Sequence, residues 1–362
     1  MKKNRILILF GGQSAEHEIS VISARSVHKA LDRNRYTPVL VGISRDGQWV
    51  YGGSDDSLLM SAIVNHDSKQ LVRLGINPGE LIDMDGVLVP DASFDVIFPL
   101  LHGPYGEDGC IQGLFELNKL TYVGAGVVSS AVGMDKELSR AIFKGAGLRQ
   151  TDYLVVRRED WRNTSQEITV SVKEKIGYPL FVKPVNLGSS VGVTKVYKQS
   201  GLNSAMRIAA RYDTKIMIEA SIEEAREVEC ALLGNESLSV SGIGEIIPNA
   251  EFYSYEAKYI DGNAQLVIPA ELSPGVAKRV QNMAIRAFHA IDCAGLARID
   301  FLIDTQGEVF INEVNTMPGF TPISMYPKLW ESTGLSYSEL IHKLIELAKD
   351  RHKDRADLIN RY

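Results

Sequence analysis

The chain has no long hydrophobic run and few cysteines, and each of these absences excludes a class of protein. No apolar stretch among the 362 residues approaches the roughly 18 residues of a membrane-spanning helix. Residues 5–10 form an apolar segment too short for a signal peptide, and this segment predicts a first strand. The three cysteines, Cys110, Cys230 and Cys293, are odd in number and lack metal-ligand spacing. We therefore expect reduced thiols in a cytoplasmic protein without a membrane partner.

An excess of positive charge and a P-loop are also missing. The formal net charge is −6 at pH 7, which argues against a protein held to nucleic acid through phosphate contacts. The spacing Gly-x-x-x-x-Gly-Lys does not occur, so any nucleotide site must be built in another way. A chain of 362 residues is too long for one ordinary core, and two or three domains are expected.

Strand and helix signals alternate along the chain, which predicts an α/β (α+β) protein. The first domain, residues 1–133, is predicted to be Rossmann-like, with a parallel sheet whose strand ends bind ligands. Residues 51–93 show poor periodicity and predict surface loops without chemistry. The predicted elements of this domain are strands at 6–10, 39–43 and 96–101 and a helix at about 14–31.

Two further domains are predicted, at residues 134–215 and 216–362. The second contains a helix that starts at Lys136, a strand that carries Lys183 and a helix near 202–211. In the third, Ser336 and Glu339 form a capping box at the start of a helix over 337–349. Its other predicted elements are strands at 228–233 and 239–247, a helix at 276–290 and a C-terminal hairpin.

The C-terminal hairpin, residues 297–319, carries acid groups where core side chains are expected. Two apolar segments flank a turn at residues 304–307, and side chains alternate faces along each strand. Glu313 and Asn315 therefore share a face, and Asp300 reaches the same face if the strands pair. Two carboxylates and a carboxamide suit Mg²⁺. The alternative is an acidic pair that faces solvent, which we rank lower because buried like charges need a cation.

Two lysines and a glycine–serine turn indicate phosphate binding. Lys183 lies at the polar end of a strand, and Gly188, Ser189 and Ser190 offer backbone N–H groups and hydroxyls. Asp135 is a suitable N-cap for the helix that begins with Lys136, where anions are favoured. Taken singly, an ordinary hairpin turn and a solvent-facing lysine are the commoner explanations.

The turn Gly11–Gly12 after the first strand has two explanations. A glycine-rich turn between a strand and a helix can bind a dinucleotide, but the third glycine of Gly-x-Gly-x-x-Gly is absent. Glu16 instead stands where a pyrophosphate would approach. A carboxylate at this position is suited to hold an ammonium group, although acidic residues near a helix start are common without any ligand.

In chain order, these motifs resemble those of ATP-grasp ligases, specifically the D-alanine–D-alanine ligase family. The resemblance spans nearly the whole chain and implies a three-domain ATP-grasp fold with a central lid domain. It implies ligation of two D-alanines through an acyl phosphate, with ATP as co-substrate and two Mg²⁺ ions, or Mn²⁺. The matching segments are 10–20 (FGGQSAEHEIS), 101–113 (LHGPYGEDGCIQG), 134–136 (MDK), 183–184 (KP), 188–192 (GSSVG), 252–259 (FYSYEAKY) and 315–321 (NTMPGFT).

The resemblance also implies roles for individual residues. The catalytic residues would be Glu16, Ser189, Tyr259, Arg298 and Gly319. The D-alanine pockets would be formed by Glu16, His102, Glu107, Ser324 and Met325. ATP would be bound by Lys136, Lys183, Ser189, Ser190, Glu219, Ala220, Ile222, Glu227, Lys258 and Asn312, and the metal by Asp300, Glu313 and Asn315.

Three functions remain open at this point. The first is a D-alanine–D-alanine ligase of peptidoglycan precursor synthesis, a cytoplasmic homodimer by resemblance. The second is a D-alanine–D-lactate ligase, which Tyr259 disfavours because such relatives have Phe or a different loop there. The third is a nucleotide-binding regulator without ligase activity, which the intact Asp300, Glu313 and Arg298 disfavour.

Overall fold

The structure is a computed structural model that describes residues 3–53, 56–66, 70–247 and 265–358. Its strands form sheets of five, four and five strands and one small two-stranded sheet. Helices accompany each large sheet, which confirms the predicted α/β (α+β) class. Within the described ranges, none of the helices combines the length and apolar character needed to cross a bilayer.

The first sheet belongs to the N-terminal part. Its strands are β1 (Asn4–Gly11), β2 (Tyr36–Ile43), β3 (Trp49–Gly53), β4 (Gln70–Leu71) and β7 (Val96–Leu100). The order is β4-β3-β2-β1-β7, and β2, β1 and β7 run parallel. The edge strands β3 and β4 are antiparallel, so the predicted parallel sheet is mixed. Helix α1 (His17–Ala30) follows β1, and the loops after β1 and β7 meet at one edge.

Residues 51–93 are more structured than predicted. They contain the end of β3, the whole of β4, helix α2 (Ser57–Met60) and the two-stranded sheet of β5 (Arg73–Leu74) and β6 (Leu81–Ile82). Several apolar side chains of this segment are buried in the N-terminal core. The loop prediction was wrong because strands of two residues are too short to show a period in sequence.

The second sheet is antiparallel. Its order is β10-β9-β11-β8, from the strands β8 (Tyr153–Arg157), β9 (Leu180–Pro184), β10 (Thr194–Val196) and β11 (Lys215–Ala220). Helices α6 (Arg158–Lys175) and α7 (Leu202–Ala209) cover it and share its own hydrophobic core. Strands β9 and β10 form a hairpin around the glycine–serine turn, as the sequence predicts.

The third sheet carries the C-terminal hairpin. Its antiparallel order is β14-β13-β12-β15-β16, from β12 (Arg226–Gly234), β13 (Ser239–Ile247), β14 (Gln265–Val267), β15 (Gly295–Ile303) and β16 (Val309–Asn315). Helices α8 (Pro274–Ala290), α9 (Met325–Ser332) and α10 (Tyr337–Ala356) pack on it. Ser336 caps α10 by accepting the Glu339 N–H at 3.3 Å, while the Glu339 carboxylate pairs with Arg35 at 3.3 Å. This is the serine half of the predicted capping box.

The predicted limits of the second domain, residues 134–215, do not follow the sheets. The limit at 215 cuts through β11, which pairs with β8 and β9 of the second sheet. At the other end, helix α5 (Lys136–Gly145) places Phe143 in the core beneath the third sheet, beside Phe288 of α8. We place the second boundary in the segment 221–225 and group α5 with the third sheet. Apolar periodicity located the helices and strands, but the domain to which each belongs depends on which distant strands and helices it pairs or packs with.

The first and third sheets share one hydrophobic core. It joins Phe98 of β7 to Phe320, Tyr326 and Trp330, and helix α10 closes it. Arg351 of α10 donates to the carbonyl oxygens of Tyr122, at 3.0 Å, and Gly124. The loops of the N-terminal sheet and the C-terminal hairpin are therefore fixed close together.

Candidate active site

The hairpin β15–β16 aligns the three predicted metal ligands on one face. Asp300 pairs with Glu313, and Arg298 pairs with Asn315. The Asn315 Nδ2 atom donates to Asp300 Oδ2 at 3.0 Å. The Arg298 guanidinium lies on the same face, as expected for residues two apart on a strand, and donates to both Asp300 oxygens at 2.7 Å.

The donor set fits a hard divalent cation that also binds phosphate. Among the residues that the structure describes, no three carboxylate, imidazole or thiol groups converge as a metal cage. The hairpin provides two carboxylates and one carboxamide instead. Mg²⁺ is commonly held by one or two carboxylates, with its remaining positions filled by water and substrate phosphates. Asp300, Glu313 and Asn315 are the residues that would hold it.

Arg298 is a partly buried cation between two carboxylates, with 17% of its side chain exposed. Its Nε atom lies 2.9 Å from Glu229 Oε2, in addition to the contacts with Asp300. Burial disfavours the charged form, but the Asp300 and Glu229 carboxylates outweigh it and raise the pKa of Arg298 well above its usual value. The guanidinium is thus permanently charged and held in one orientation, which suits a group that stabilises an anion.

Lys136 faces the metal ligands rather than solvent. Asp135 caps α5 by accepting the N–H groups of Glu137 and Leu138 at 3.0 and 3.1 Å. Lys136 is only 9% exposed, and its Nζ donates to the Leu187 carbonyl at 2.7 Å and lies 3.5 Å from Glu313 Oε2. The solvent-facing alternative is therefore wrong, and the ammonium group is next to the predicted phosphate site.

Lys183 belongs to a buried charge cluster that also contains Arg140, Thr151 and Glu219. Lys183 bonds to one Glu219 oxygen, and Arg140 and Thr151 bond to the other. Burial opposes ionisation of Glu219, but the charges of Arg140 and Lys183 outweigh it and lower its pKa to about 2. The pKa of Lys183 is also lowered, because burial and the nearby cations outweigh Glu219. The two directions agree, since two cations share one anion and leave a net positive charge.

The cluster gives Glu219 a role that the sequence did not indicate. Its side chain is 4% exposed and both carboxylate oxygens are bonded to protein groups. The adenine contact predicted for it stays a prediction, and it would have to compete with Arg140 and Lys183. Arg140 was missed because a lone arginine within a helix gives no motif.

A cavity of about 770 Å³ lies between the second and third sheets. It gathers the described residues that were predicted to bind ATP and adds Glu313 of the metal set: Lys136, Lys183, Ser189, Ser190, Glu219, Ala220, Ile222, Glu227, Asn312 and Glu313. Its apolar walls include Phe181, Val193 and Leu302, which the sequence analysis did not identify. A volume of this size accommodates a ligand as large as a nucleotide.

The glycine–serine turn reaches across the cavity to the first domain. Ser189 and Ser190 have φ values of +52° and +58°, a left-handed conformation that is unusual for serine. This conformation presents the Ser189 hydroxyl to Glu16, to which it donates a hydrogen bond. Such backbone strain is characteristic of ligand-binding turns.

Glu16 stands at the start of α1 beside a second carboxylate. Glu107 accepts a hydrogen bond from the Gly103 N–H at 2.7 Å. Burial, and then the charge of Glu16, raise the pKa of Glu107 to about 8. The predicted substrate residues Glu16 and Glu107 are thus brought together, and near neutral pH the second retains a proton.

We expect Glu107→Gln to change how stability depends on pH. A folded pKa of about 8 against an ordinary value of 4.5 means that the folded state binds the extra proton between these values. The stability that this proton confers is present below about pH 4.5 and is lost as pH rises through 8. The free energy of unfolding, measured with urea at pH 5, 6.5 and 8, should decline less with rising pH in Glu107→Gln than in the unmodified protein. Equal declines would contradict the assigned pKa.

Both ring nitrogens of His102, which was predicted to line a substrate pocket, are occupied by protein groups. Its Nδ1 atom lies 3.2 Å from the Met317 carbonyl oxygen, and its Nε2 atom lies 3.2 Å from the Ser23 hydroxyl. Burial lowers the pKa of this imidazole, so it is neutral with the proton on Nδ1. Any contact with D-alanine is therefore limited to the carbon edge of the ring.

The segment after the hairpin places Gly319, Ser324 and Met325 differently from one another. A Cβ at Gly319 would lie 2.6 Å from the Ser324 hydroxyl, so a larger residue would displace this hydroxyl. Ser324 precedes α9, and its hydroxyl accepts the Thr321 N–H at 3.0 Å. The Met325 side chain is buried against Gly244 in the core, so its predicted place in the pocket stays a prediction that its main chain alone could fulfil. Its backbone N–H, in the first turn of α9, is the group left for an anion.

Two predicted residues lie outside the described ranges. Lys258, predicted to bind ATP, and Tyr259, predicted to be catalytic, both fall within 248–264. Their roles stay predictions from the sequence.

Comparison with known proteins matches both halves of the chain to family models. Residues 5–125 match the model described as D-ala D-ala ligase N-terminus, and residues 142–346 match the D-ala D-ala ligase C-terminus. Two curated relatives, from Acetivibrio thermocellus and Ruminiclostridium cellulolyticum, are 45% and 46% identical and are named D-alanine--D-alanine ligase. The alignments cover 97% and 98% of this chain and 97% of each relative.

Solved structures show the same similarity. The D-alanine-D-alanine ligase from Coxiella burnetii has a TM-score of 0.85 at 36% identity, covering 98% of this chain and 97% of that one. The VanG D-Ala:D-Ser ligase from Enterococcus faecalis has a TM-score of 0.84 at 33% identity, covering 96% and 100%. The names of these two proteins differ in the second amino acid, which is D-alanine in the first and D-serine in the second.

Proposed function

Because the chain belongs to the D-alanine–D-alanine ligase family, we propose that it joins two D-alanines to D-alanyl-D-alanine and converts ATP to ADP and phosphate. The observation that carries this proposal is the cavity where Lys136, Lys183 and Glu313 meet, next to the Ser189–Glu16 contact. Cations for phosphate, oxygen ligands for a metal and a carboxylate for an ammonium group are thus adjacent. An ATP-dependent ligase of amino acids needs this combination.

The reaction would proceed in two steps through an acyl phosphate. A carboxylate oxygen of the first D-alanine attacks the γ-phosphorus, and the bond to the β-phosphate oxygen breaks to release ADP. The deprotonated amine of the second D-alanine then attacks the acyl carbon, and the carbon–oxygen bond to phosphate breaks. Lys136 and Lys183 neutralise phosphate oxygens during the first step. Arg298 and the Gly319 N–H stabilise the oxyanion of the second.

The remaining residues hold the substrates. Glu16 binds the ammonium group of the first D-alanine, while Ser324 and the first turn of α9 bind the carboxylate of the second. When bound at Asp300, Glu313 and Asn315, two Mg²⁺ ions, or Mn²⁺, would neutralise charge on the ATP phosphates. The product belongs to peptidoglycan precursor synthesis, which takes place in the cytoplasm.

The test is product formation with purified protein, ATP and Mg²⁺. ADP release and product mass are measured with D-alanine alone, with L-alanine, and with D-alanine plus D-lactate or D-serine. ADP coupled to D-alanyl-D-alanine supports the proposal. Turnover that requires D-lactate or D-serine would make the protein a ligase of another acceptor, a possibility that the VanG neighbour makes worth testing. ATP binding without turnover in any mixture would favour a nucleotide-binding regulator.

We also propose a homodimer formed through one apolar face of the N-terminal part. The face consists of exposed residues on α3 (Cys110–Leu117) and α4 (Val127–Met134), including Leu114, Leu117 and Val128. Leu117 is 86% exposed and Val128 is 63% exposed. Gly113 and Gly126 have open space at the Cβ position, so two backbones can approach there. A contiguous apolar surface that pairs with itself is typical of twofold dimers.

Leu117→Glu should shift the protein toward monomer. In a twofold contact the introduced carboxylates of the two subunits face and repel each other. We therefore expect the dimer dissociation constant to rise at least about 100-fold, which corresponds to roughly 2.7 kcal/mol. Sedimentation velocity across a dilution series measures this. Ile76→Glu is the control, because Ile76 is 96% exposed and belongs to neither helix of the face. Equal behaviour of the two variants would contradict this interface.

A further inference from the structure

The main chain on both sides of Gly319 is held by side chains from distant parts of the protein. The Met317 carbonyl oxygen lies 3.2 Å from His102 Nδ1. The Phe320 N–H donates to the Ser23 hydroxyl at 3.3 Å. Three of the four main-chain polar groups that flank the Pro318–Gly319 pair are therefore bonded to side chains, since the Phe320 carbonyl oxygen also accepts the Tyr337 hydroxyl at 2.8 Å.

The two residues between these anchors have little freedom. Pro318 has a fixed φ angle, and the peptide bond that carries the Gly319 N–H is planar. Glycine itself is the most flexible residue, so without flanking restraints this N–H would sample a wide range of directions. With Met317 and Phe320 fixed, few torsions remain to move it.

The side chain of Phe320 anchors the same segment. Its ring is fully buried and contacts Phe98 edge-on, with centroids 5.6 Å apart and an interplanar angle of 85°. On its other side it stacks with Tyr337, with centroids 6.4 Å apart and an angle of 25°. Tyr337 therefore holds Phe320 through both the ring and the main chain, from the first residue of α10.

We propose that Tyr337, Ser23 and His102 are positioning residues that aim the Gly319 N–H at the reacting carbonyl group. This inference rests on the proposed function, in which Gly319 is an oxyanion donor. None of the three side chains needs to touch substrate in this role. They act by fixing the backbone on either side of the donor, and preorganised donors of this kind contribute through their direction as well as their presence. Ser23 and Tyr337 did not stand out in the sequence because neither belongs to the motifs that carry the resemblance.

The test compares two tyrosines of one core that differ in what they hold, Tyr326 being fully buried and Tyr337 partly buried. Tyr337→Phe removes the hydroxyl that bonds to Phe320, whereas Tyr326→Phe removes one that bonds to the Leu232 carbonyl at 3.0 Å in the core. Both rings contact Phe320, so packing is matched. Loss of one oxyanion donor costs about 100- to 1,000-fold in rate, and misdirecting it should cost a part of that. We expect kcat to fall about 5- to 20-fold in Tyr337→Phe, with the KM for ATP unchanged.

The control and a second variant separate positioning from stability. Tyr326→Phe should lower the unfolding temperature as much as Tyr337→Phe but leave kcat within about twofold. Ser23→Ala releases the Phe320 N–H and should lower kcat about as much as Tyr337→Phe does. The double variant Ser23→Ala/Tyr337→Phe should approach the roughly 100-fold loss in kcat of a missing donor. Equal kcat values for both tyrosine variants, or a change only in the KM for ATP, would overturn the proposal. Absence of D-alanyl-D-alanine from the unmodified protein would instead overturn the proposed function.

Discussion

Asp300→Asn should lower kcat by about 100- to 1,000-fold, the range expected when an essential electrostatic contact to a reacting phosphate is lost. The substitution keeps the size of the side chain and removes one of the two carboxylates on the hairpin face. It also ends the paired hydrogen bonds with Arg298, each 2.7 Å long. Both the metal ligand set and the orientation of the oxyanion-stabilising guanidinium are thereby weakened. The fold should persist, because Arg298 keeps its contact with Glu229.

The matched control for Asp300→Asn is Asp304→Asn in the same hairpin. The Asp304 carboxylate accepts the N–H groups of Gln306 and Glu308 at 2.9 and 2.8 Å, a turn contact that asparagine can reproduce. Activity is followed together with nucleotide-dependent binding of Mn²⁺, measured by electron paramagnetic resonance. We expect Asp300→Asn to lose Mn²⁺ binding and Asp304→Asn to retain it. Full Mn²⁺ binding or undiminished turnover in Asp300→Asn would contradict the metal assignment.

Glu219→Gln should destabilise the protein by about 3–5 kcal/mol, the usual result of removing one partner from a buried ionic cluster. The change leaves Arg140 and Lys183 buried together without their shared anion. The pKa of Glu219 is about 2 when folded against an ordinary value of 4.5. Its stabilising contribution is therefore complete above about pH 4.5 and disappears as pH falls toward 2. Glu219→Gln should lose this part of the acid sensitivity.

Urea unfolding at pH 7 and pH 3 measures both effects. Glu223→Gln is the control, because Glu223 is an exposed carboxylate four residues further along, and its free energy of unfolding should change by less than about 0.5 kcal/mol. The double variant Arg140→Met/Glu219→Gln removes opposite charges together and should lose less than the sum of the single variants. A Glu219→Gln protein that keeps its stability but binds ATP weakly would favour the adenine contact over the cluster.

The sequence predicted best those parts of the site that depend on local geometry. Strand alternation and one turn were enough to place Asp300, Glu313 and Asn315 on a common face. The Asp135 cap and the start of α5 at Lys136 followed from helix-end preferences alone. The resemblance assigned roles, but the bonding of each side chain could not be obtained from it.

The features that were missed arise from contacts between distant parts of the chain. Arg140 meets Glu219 across 79 residues, and His102 meets Met317 across 215 residues. Nothing near these residues in sequence encodes their partners. Met325 was assigned to the pocket by its position in a motif, whereas its side chain fills the core because α9 packs on β13 there. The strands β4, β5 and β6 within residues 51–93 were missed because two residues are too few to show the alternation of apolar and polar side chains that predicts a strand.

The common core of the first and third sheets has a mechanical consequence. The first and third sheets form one unit, since Phe98 and Phe320 pack in the same hydrophobic core. The second sheet has a separate hydrophobic core of its own. The cavity lies between this unit and the second sheet. The Gly319 segment and the side chains that hold it all belong to the unit of the first and third sheets. A movement of the second sheet relative to the other two would therefore change the Ser189–Glu16 contact but leave the hydrogen bonds around the Gly319 segment intact. On the proposed function, we therefore expect nucleotide entry to be separable from the geometry of peptide-bond formation.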